Sequence, residues 1–311
     1  MKTSIFSCSE RGSLKQAAKL LVQGNLVAFP TETVYGLGAN ALDPEAVMKI
    51  FQVKKRPQDN PLIVHIAKEE QIQELVTYIS EKSKILMKTF WPGPLTIIFE
   101  KKEVVPAIVS ANLPYVALRM PSHPCALALL REANVPIVAP SANLSGRPSP
   151  TKAEHVREDL RGKISCILDG GQVPIGIEST VIDMTTEPPT LLRPGKITKE
   201  EIEKSIGSIT TKTTKLEEYK SPGMKYKHYS PKAKVILFKE EKDIRELLAK
   251  KQKESPLVLV YSNAEEMAHS LFADFRSADA KGHKIIFVQE IEEKGFGEAV
   301  MNRLRKAAAK K

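Results

Sequence analysis

Short apolar runs alternate with helical segments along most of this chain, and that alternation confines it to an α/β architecture. "LVAF", "LIVHIA", "LTIIFE", "YVALRM" and "PIVA" are rich in strand-forming residues and bounded by polar loops or proline. Between them, stretches such as "LKQAAKLLVQ" and "PCALALLREA" repeat apolar residues at three- and four-residue intervals, the period of a helix with one buried face. Strands that take turns with helices build a sheet covered by helices, not a sandwich or a bundle.

Local signals place the element ends. Ser13 is expected to cap the first helix and Gly24 to end it. Asp43-Pro44 starts a helix that runs to about Val53, with proline at the first helical position. A helical stretch is expected from about Glu69 to Phe90, and strands near "CILD", "STVIDM" and "TLLR". Thr151 with Glu154, and Thr198 with Glu201, have the spacing of capping boxes, and Gly207 closes the second of these helices.

At 311 residues the chain is long for one domain. Residues 208–232 show neither helical nor strand period and divide it into 1–207, a linker over 208–232, and 233–311. The last part reads as strand–helix units of a small Rossmann-like parallel sheet. "GFGEAV" follows an acidic loop instead of a strand and carries little weight as a dinucleotide turn. Arg303, Arg305 and Lys306 read as the solvated end of the final helix.

The net charge of +10 favours an anionic partner, nucleotide or nucleic acid. Cys8, Cys125 and Cys166 are far apart and form no CxxC pair, which argues against a zinc site or a disulfide framework and fits a reducing compartment. Cys125 and Cys166 lie in apolar runs and read as buried thiols. The opening residues lack the apolar core of a signal peptide, and no stretch approaches the roughly 20 apolar residues of a membrane span, so a soluble, cytoplasmic protein with no membrane partner is expected.

The chain has no GxxxxGK[ST], HExxH or GxSxG, and nothing in it proposes a protein nucleophile or a metal cage. Polar loops at strand ends carry the candidate chemistry. "FPTETVYGLGANA" offers the hydroxyls of Thr31 and Thr33, and glycines at 36 and 38 for close backbone approach. Equally it reads as a turn with buried threonines. "KKRPQDNPLIVHIA" brings Lys54, Arg56 and Asn60 to one tight loop and His65 to the strand beyond, where a satisfied core histidine and a substrate donor are both open readings. Arg119, in "RMPSHP", needs a carboxylate or phosphate partner, internal or bound. "APSANLSGRPSPT" supplies Ser141, Asn143, Ser145 and Ser149, and "GIESTVID" and "LLRPG" place Ser179 and Arg193 near strand ends.

With these motifs in this order over nearly its whole length, together with "WPGPLT" and "PGMKYKHYSP", the chain resembles threonylcarbamoyl-AMP synthases of the YrdC-type family, in the longer two-domain form. The resemblance implies a YrdC-like domain with a twisted mixed sheet and flanking helices, followed by a small Rossmann-like α/β domain. It implies a nucleotidyltransferase that converts L-threonine, bicarbonate or CO2, and ATP with Mg2+ into threonylcarbamoyl-adenylate and pyrophosphate. The product supplies N6-threonylcarbamoyladenosine formation in tRNAs that read ANN codons, through a separate transferase complex. By the same resemblance Thr33, His65, Arg119, Ala139 (through its backbone) and Ser179 hold threonine. Arg56, Asn60, Tyr115, Ser141, Ser149, Arg193 and Tyr229 hold ATP, and Lys54 with Arg56 neutralises the phosphates. Tyr115 departs from the family, which often has a small hydroxyl residue there, so contact with ATP through its side chain and through its backbone alone are both open readings.

An RNA-binding module without adenylating activity is the alternative. The charge suits it, but the chain lacks RNP-like aromatics and an arginine-rich segment. A related carbamoyl-transfer factor of hydrogenase maturation needs zinc-finger cysteines that are missing here. The segment "SPGMKYKHYSP" is expected to fold over the nucleotide site as a lid, with Tyr229 on ATP and Lys225 and Lys227 towards its phosphates.

Overall fold

The structure, a computed structural model, describes residues 2–211 and 228–309. Ten strands form one mixed sheet: β1 (Ser4–Ser7), β2 (Val27–Pro30), β3 (Tyr35–Asn40), β4 (Ile63–His65), β5 (Leu95–Glu100), β6 (Tyr115–Arg119), β7 (Ile137–Val138), β8 (Cys166–Asp169), β9 (Thr180–Asp183) and β10 (Thr190–Arg193). Their order is β1-β8-β2-β3-β7-β4-β6-β5-β9-β10. A second sheet is parallel throughout, in the order β11 (Lys234–Phe238), β13 (Ile285–Gln289), β12 (Pro256–Leu259), and is packed by helices Ala264–Ala280 and Phe296–Ala308. The α/β class and the small parallel second unit agree with the alternation, and the mixed sheet agrees with what the resemblance implies.

Several local expectations change. The glycine-rich stretch after β2 is half loop and half strand: residues 31–34 turn and β3 returns antiparallel to β2. Its glycines serve protein packing. A Cβ on Gly36 would stand 3.1 Å from the Ala139 Cβ, and one on Gly38 would stand 2.9 Å from the Phe29 ring. The expected 69–90 helix is two helices, Glu70–Leu75 and Glu81–Phe90. Val76 turns extended to bridge Lys101, and the Ser80 hydroxyl then caps the second helix by accepting from the Ser83 N–H. Ser13 lies inside its helix, which Gly12 precedes. Thr151 makes no cap: its backbone N–H donates to His155 Nδ1, and the helix begins at Ala153. The Thr198–Glu201 capping box forms as expected, with Gly207 at the helix end.

The cysteines also differ from expectation. Cys8, just after β1, and Cys125, in the first turn of helix Pro124–Ala133, are joined in a disulfide that spans 117 residues of chain. Cys166 alone is a buried free thiol, and burial pushes its pKa up to about 12. The pairing removes the cysteine argument for a reducing compartment.

The second unit is packed hard against the first. Ile177 and Tyr229 lie in the core of the second unit, beside Phe272, Met301 and Leu304. At Gly176, with φ of +94°, an added Cβ would stand 2.1 Å from the Ala268 carbonyl oxygen. No side chain fits there, and the left-handed backbone disfavours one independently. Gly176→Ala is expected to lower unfolding free energy by at least about 2 kcal/mol. Denaturant unfolding checks it, and an unchanged midpoint would contradict this packing.

Candidate active site

Sheet register decides which side chains meet. β4 and β6 run parallel with His65 opposite Arg119, and β7 runs antiparallel to β4 on its other side. The Ala139 N–H donates to the Ile63 carbonyl at 3.0 Å, which brings the loop after β7 beside the β4 strand. Gly36 bridges Ser141. Ser179 precedes β9 and Arg193 ends β10. The loop ends therefore surround one cleft, lined by Thr33, Arg56, His65, Arg119, Ala139, Ser141, Ser179, Arg193 and Tyr229 among the predicted residues.

Along one wall the hydrogen bonds have a forced direction. Arginine only donates, so the Thr33 hydroxyl accepts from Arg119 Nη1 at 3.0 Å. Thr31 donates to the Val34 carbonyl at 2.7 Å, so the Thr33 proton points to the Thr31 oxygen 2.8 Å away. Thr33 keeps a lone pair for a donor in the cleft. Arg119 Nε reaches the Gly93 carbonyl at 3.3 Å, and the Gly93 N–H donates to the Met120 carbonyl, which explains why "WPGP" belongs to the site. Arg119 also lies 2.7 Å from Glu32, both nearly buried, in a geometry that aligns no hydrogen bond between them. The buried His65 ring lies near the Ile63 and Ile137 carbonyls, and no partner aligns with its Nδ1. Ser179 accepts from Arg193 Nη2 at 3.1 Å and shares a hydrogen bond with Thr96 at 2.8 Å.

The opposite wall is built around Arg56. Its Nη2 donates to the carbonyls of Asn60 at 3.3 Å and Pro61 at 3.1 Å, so Asn60 supports the arginine from outside the lining. Lys54 does not line the cleft. It is 1% exposed, and its ammonium donates to the carbonyls of Ser141 and, at 2.5 Å, Asn143. Burial first and then Arg56 hold its pKa well below the usual lysine range. Tyr115 is also outside the lining: it is half-buried and packs against a cluster that includes Ile63 and Ile98. Ser149 is buried behind the cleft and donates to Glu178 at 2.5 Å.

Glu178, Glu32, His228 and Arg303 are site residues that the candidate set omits. Glu178 and His228 line the cleft beside Tyr229. Burial pushes the Glu178 carboxyl up, but the charges of Arg303 and Arg193 with the Ser149 hydrogen bond outweigh it and leave it below the ordinary range. Tyr229 stacks on Phe272, with ring centroids 5.2 Å apart, and burial first, then Glu178, raises its phenol to about 12. Arg303 is wholly buried, contrary to its reading as a solvated tail. The signal was present: Phe296, Val300, Arg303, Leu304 and Ala307 follow one helical face. Lys225 and Lys227 lie outside the described residues.

A second arginine of the small unit, Arg276, is 3% exposed and donates to Asp159 at 2.9 Å and to the Pro148 carbonyl at 2.7 Å. Asp159 in turn accepts from Arg147 and the Leu144 N–H. The loop over 141–149 is thus held by Lys54 on one side and by the second unit on the other.

Three histidines in or near this region are held neutral. His65 and His228 are pushed down to about 3 and His155 to about 4, in each case by burial first and then by a neighbouring arginine: Arg119, Arg56 and Arg276 respectively. An unfolded chain protonates such histidines near pH 6.5. The unfolded state therefore binds more protons as pH falls through 6.5. The stability is fully present above that pH and is lost progressively towards pH 4. Urea midpoints are expected to fall between pH 7.5 and pH 5; a flat profile, or one rising towards acid, would contradict this.

The comparisons with known proteins cover the whole arrangement. A family profile described as "Telomere recombination" (Sua5, YciO and YrdC) matches residues 19–195, and one described as "Threonylcarbamoyl-AMP synthase, C-terminal domain" matches 197–309. A threonylcarbamoyl-AMP synthase of Pyrococcus abyssi is 50% identical over 96% of this chain and 95% of its own length. One from Bacillus subtilis is 47% identical over 95% of this chain and 92% of its own. The crystal structure of P. abyssi Sua5 complexed with L-threonine superposes with a TM-score of 0.91 at 48% identity, covering 99% of this chain and 97% of that one.

Proposed function

The chain belongs to the threonylcarbamoyl-AMP synthase family, and from that premise we propose how its cleft makes threonylcarbamoyl-AMP and pyrophosphate from L-threonine, ATP, and bicarbonate or CO2. The observation that carries the assignment is Arg119: a buried guanidinium at the cleft wall, beside a threonine hydroxyl with an open lone pair and a buried histidine whose Nδ1 has no aligned partner.

Arg119 takes the substrate carboxylate with its planar fork. Thr33, His65, the Ala139 backbone and Ser179 surround the rest of the amino acid. Bicarbonate enters by losing water, after taking up a proton, as CO2; the threonine amine, as the free base, attacks the CO2 carbon, gives one N–H proton to solvent and becomes a carbamate. One carbamate oxygen then attacks the α-phosphorus of ATP in line, the bond to the β-phosphate oxygen breaks, and pyrophosphate leaves with the electron pair. The nucleophile belongs to the substrate, so the protein contributes positioning and charge. Arg56 and Arg193 face the developing charge. Arg193 stays protonated at neutral pH although burial, with Arg303 and Arg119 nearby, lowers it to about 10. Ser141, Ser149, Asn60 and Tyr229 form or support the nucleotide side. Lys54 acts there by holding the 141–143 carbonyls.

Mg2+ would arrive with ATP and would supply charge neutralisation, with no protein cage of its own. Among the described residues no group of three or more metal-ligating side chains exists, and Glu178 already spends its oxygens on Ser149 and Arg303. The division into a catalytic part over 1–207, a joining segment over 208–232 and a small unit over 233–311 belongs to the same proposal. The product serves N6-threonylcarbamoyladenosine formation in tRNA, and a downstream transferase is the proposed partner. Among the described residues no helix is long and apolar enough to cross a membrane. A cytoplasmic site of action belongs to the proposal because the tRNA that consumes the product is there.

Pyrophosphate release with ATP, Mg2+, bicarbonate and threonine, each omitted in turn, tests the reading. Release is expected only when all are present. Release that ignores threonine would overturn it.

A further inference from the structure

Arg303 comes from the last helix of the small unit and ends inside the active site of the large one. It is wholly buried. Its Nε donates to Glu178 Oε2 at 3.1 Å, its Nη2 to the Glu178 carbonyl at 3.3 Å, and its Nη1 to the Pro194 carbonyl at 2.8 Å. Its guanidinium carbon lies 6.0 Å from the centre of the Tyr229 ring. Glu178 passes this hold onward by accepting from the Ser149 hydroxyl. Two of the residues placed on the nucleotide side, Ser149 and Tyr229, thus converge on one Glu178–Arg303 pair. The threonine side meets Arg303 only at the neighbouring backbone, at Glu178 beside Ser179 and Pro194 beside Arg193, and has side-chain holds of its own. Ser179 is held by Arg193 and Thr96, and Arg119 by Gly93, Thr33 and Glu32, all within the large unit.

We propose that Arg303 is a positioning residue for the nucleotide: through Glu178 it sets Ser149 and Tyr229, so the small unit completes the ATP half of the active site and acts on the threonine half only through the neighbouring backbone. The pair is buried, where an arginine–carboxylate contact is geometrically exacting and breaking one partner leaves the other uncompensated. Loss of Arg303 frees a carboxylate beside the triphosphate path. The expected penalty is therefore on ATP, by displacement of its contacts and by repulsion.

This inference rests on the synthase reading, and the experiment separates the two. Wild-type protein is first assayed for threonine-dependent pyrophosphate release; its absence sinks the synthase reading whatever Arg303 does. Full-length Arg303→Met, Arg303→Lys and the Arg303→Met/Glu178→Gln pair are then titrated with ATP and with threonine separately by calorimetry. Loss of a buried charge-assisted hydrogen bond predicts that Arg303→Met weakens ATP roughly 10- to 100-fold while threonine changes by less than about threefold. Arg303→Lys recovers part of the ATP affinity. The double variant, which removes the orphaned charge, binds ATP no worse than Arg303→Met, because both changes act through one link. If Arg303→Met fails to fold, the double variant carries the same test against Glu178→Gln alone. Equal losses for both ligands, or unchanged ATP affinity, overturn the proposal.

Discussion

Arg119→Met is expected to lower kcat/KM for threonine by roughly 100- to 10,000-fold, the kinetic equivalent of removing one partner from a buried ion pair at about 3–5 kcal/mol. The loss should appear mainly as a raised KM, because the proposed Arg119–carboxylate contact is the same before and during reaction. Arg119→Lys keeps the charge and loses the fork, so a decrease of about 10- to 100-fold is expected. Stability gives an independent reading. Arg119→Met strands Glu32, which is buried, and lowers the unfolding midpoint. Adding Glu32→Gln should restore much of that stability and none of the threonine affinity. Steady-state kinetics and denaturant unfolding of the three variants check both halves. Recovery of threonine affinity in the double variant would show that Arg119 acts on Glu32 and not on substrate.

Lys54→Met separates a structural lysine from one that touches phosphate. The side chain is 1% exposed and holds two carbonyls of the 141–143 loop. Methionine fills similar space and leaves both carbonyls unsatisfied, at about 1–3 kcal/mol each. The expected result is a stability loss of about 2–5 kcal/mol together with an ATP KM raised roughly 10- to 100-fold. The loop that moves is also held by Arg276 through Asp159 and Pro148, so the fold itself should survive. A variant of unchanged stability with kcat alone abolished would return Lys54 to direct phosphate contact, against the geometry.

What is legible in the sequence follows from the range of the interactions. The strands at 27–30, 63–65, 95–100 and 115–119 announce themselves because each is an apolar run buried in the middle of a sheet. β1, "SIFS", does not: it is short and half polar, and exists because β8 offers it a parallel edge. Thr33, His65, Arg119, Ser179 and Arg193 stand out as polar residues at the ends of such strands, and their convergence follows from register. Glu178 sits inside a motif singled out for Ser179, yet its meaning depends on an arginine 125 residues further on. Arg303 and Arg276 look like ordinary surface bases until their positions on apolar helix faces are counted. The second unit is therefore visible as a fold and silent as a contributor to the site, since nothing local records a contact between units. Tyr115 and Lys54 show the reverse: both lie near motif residues in the chain, and neither side chain lines the cleft.

The most direct test of the central claim follows the carbon. The protein is incubated with ATP, Mg2+, L-threonine and isotopically labelled bicarbonate, and the nucleotides are read by mass spectrometry. The account predicts an adenylate that carries both threonine and one labelled carbon, formed together with pyrophosphate and absent without threonine. Pyrophosphate formed at the same rate without threonine, or an aminoacyl-adenylate without the labelled carbon, would contradict it.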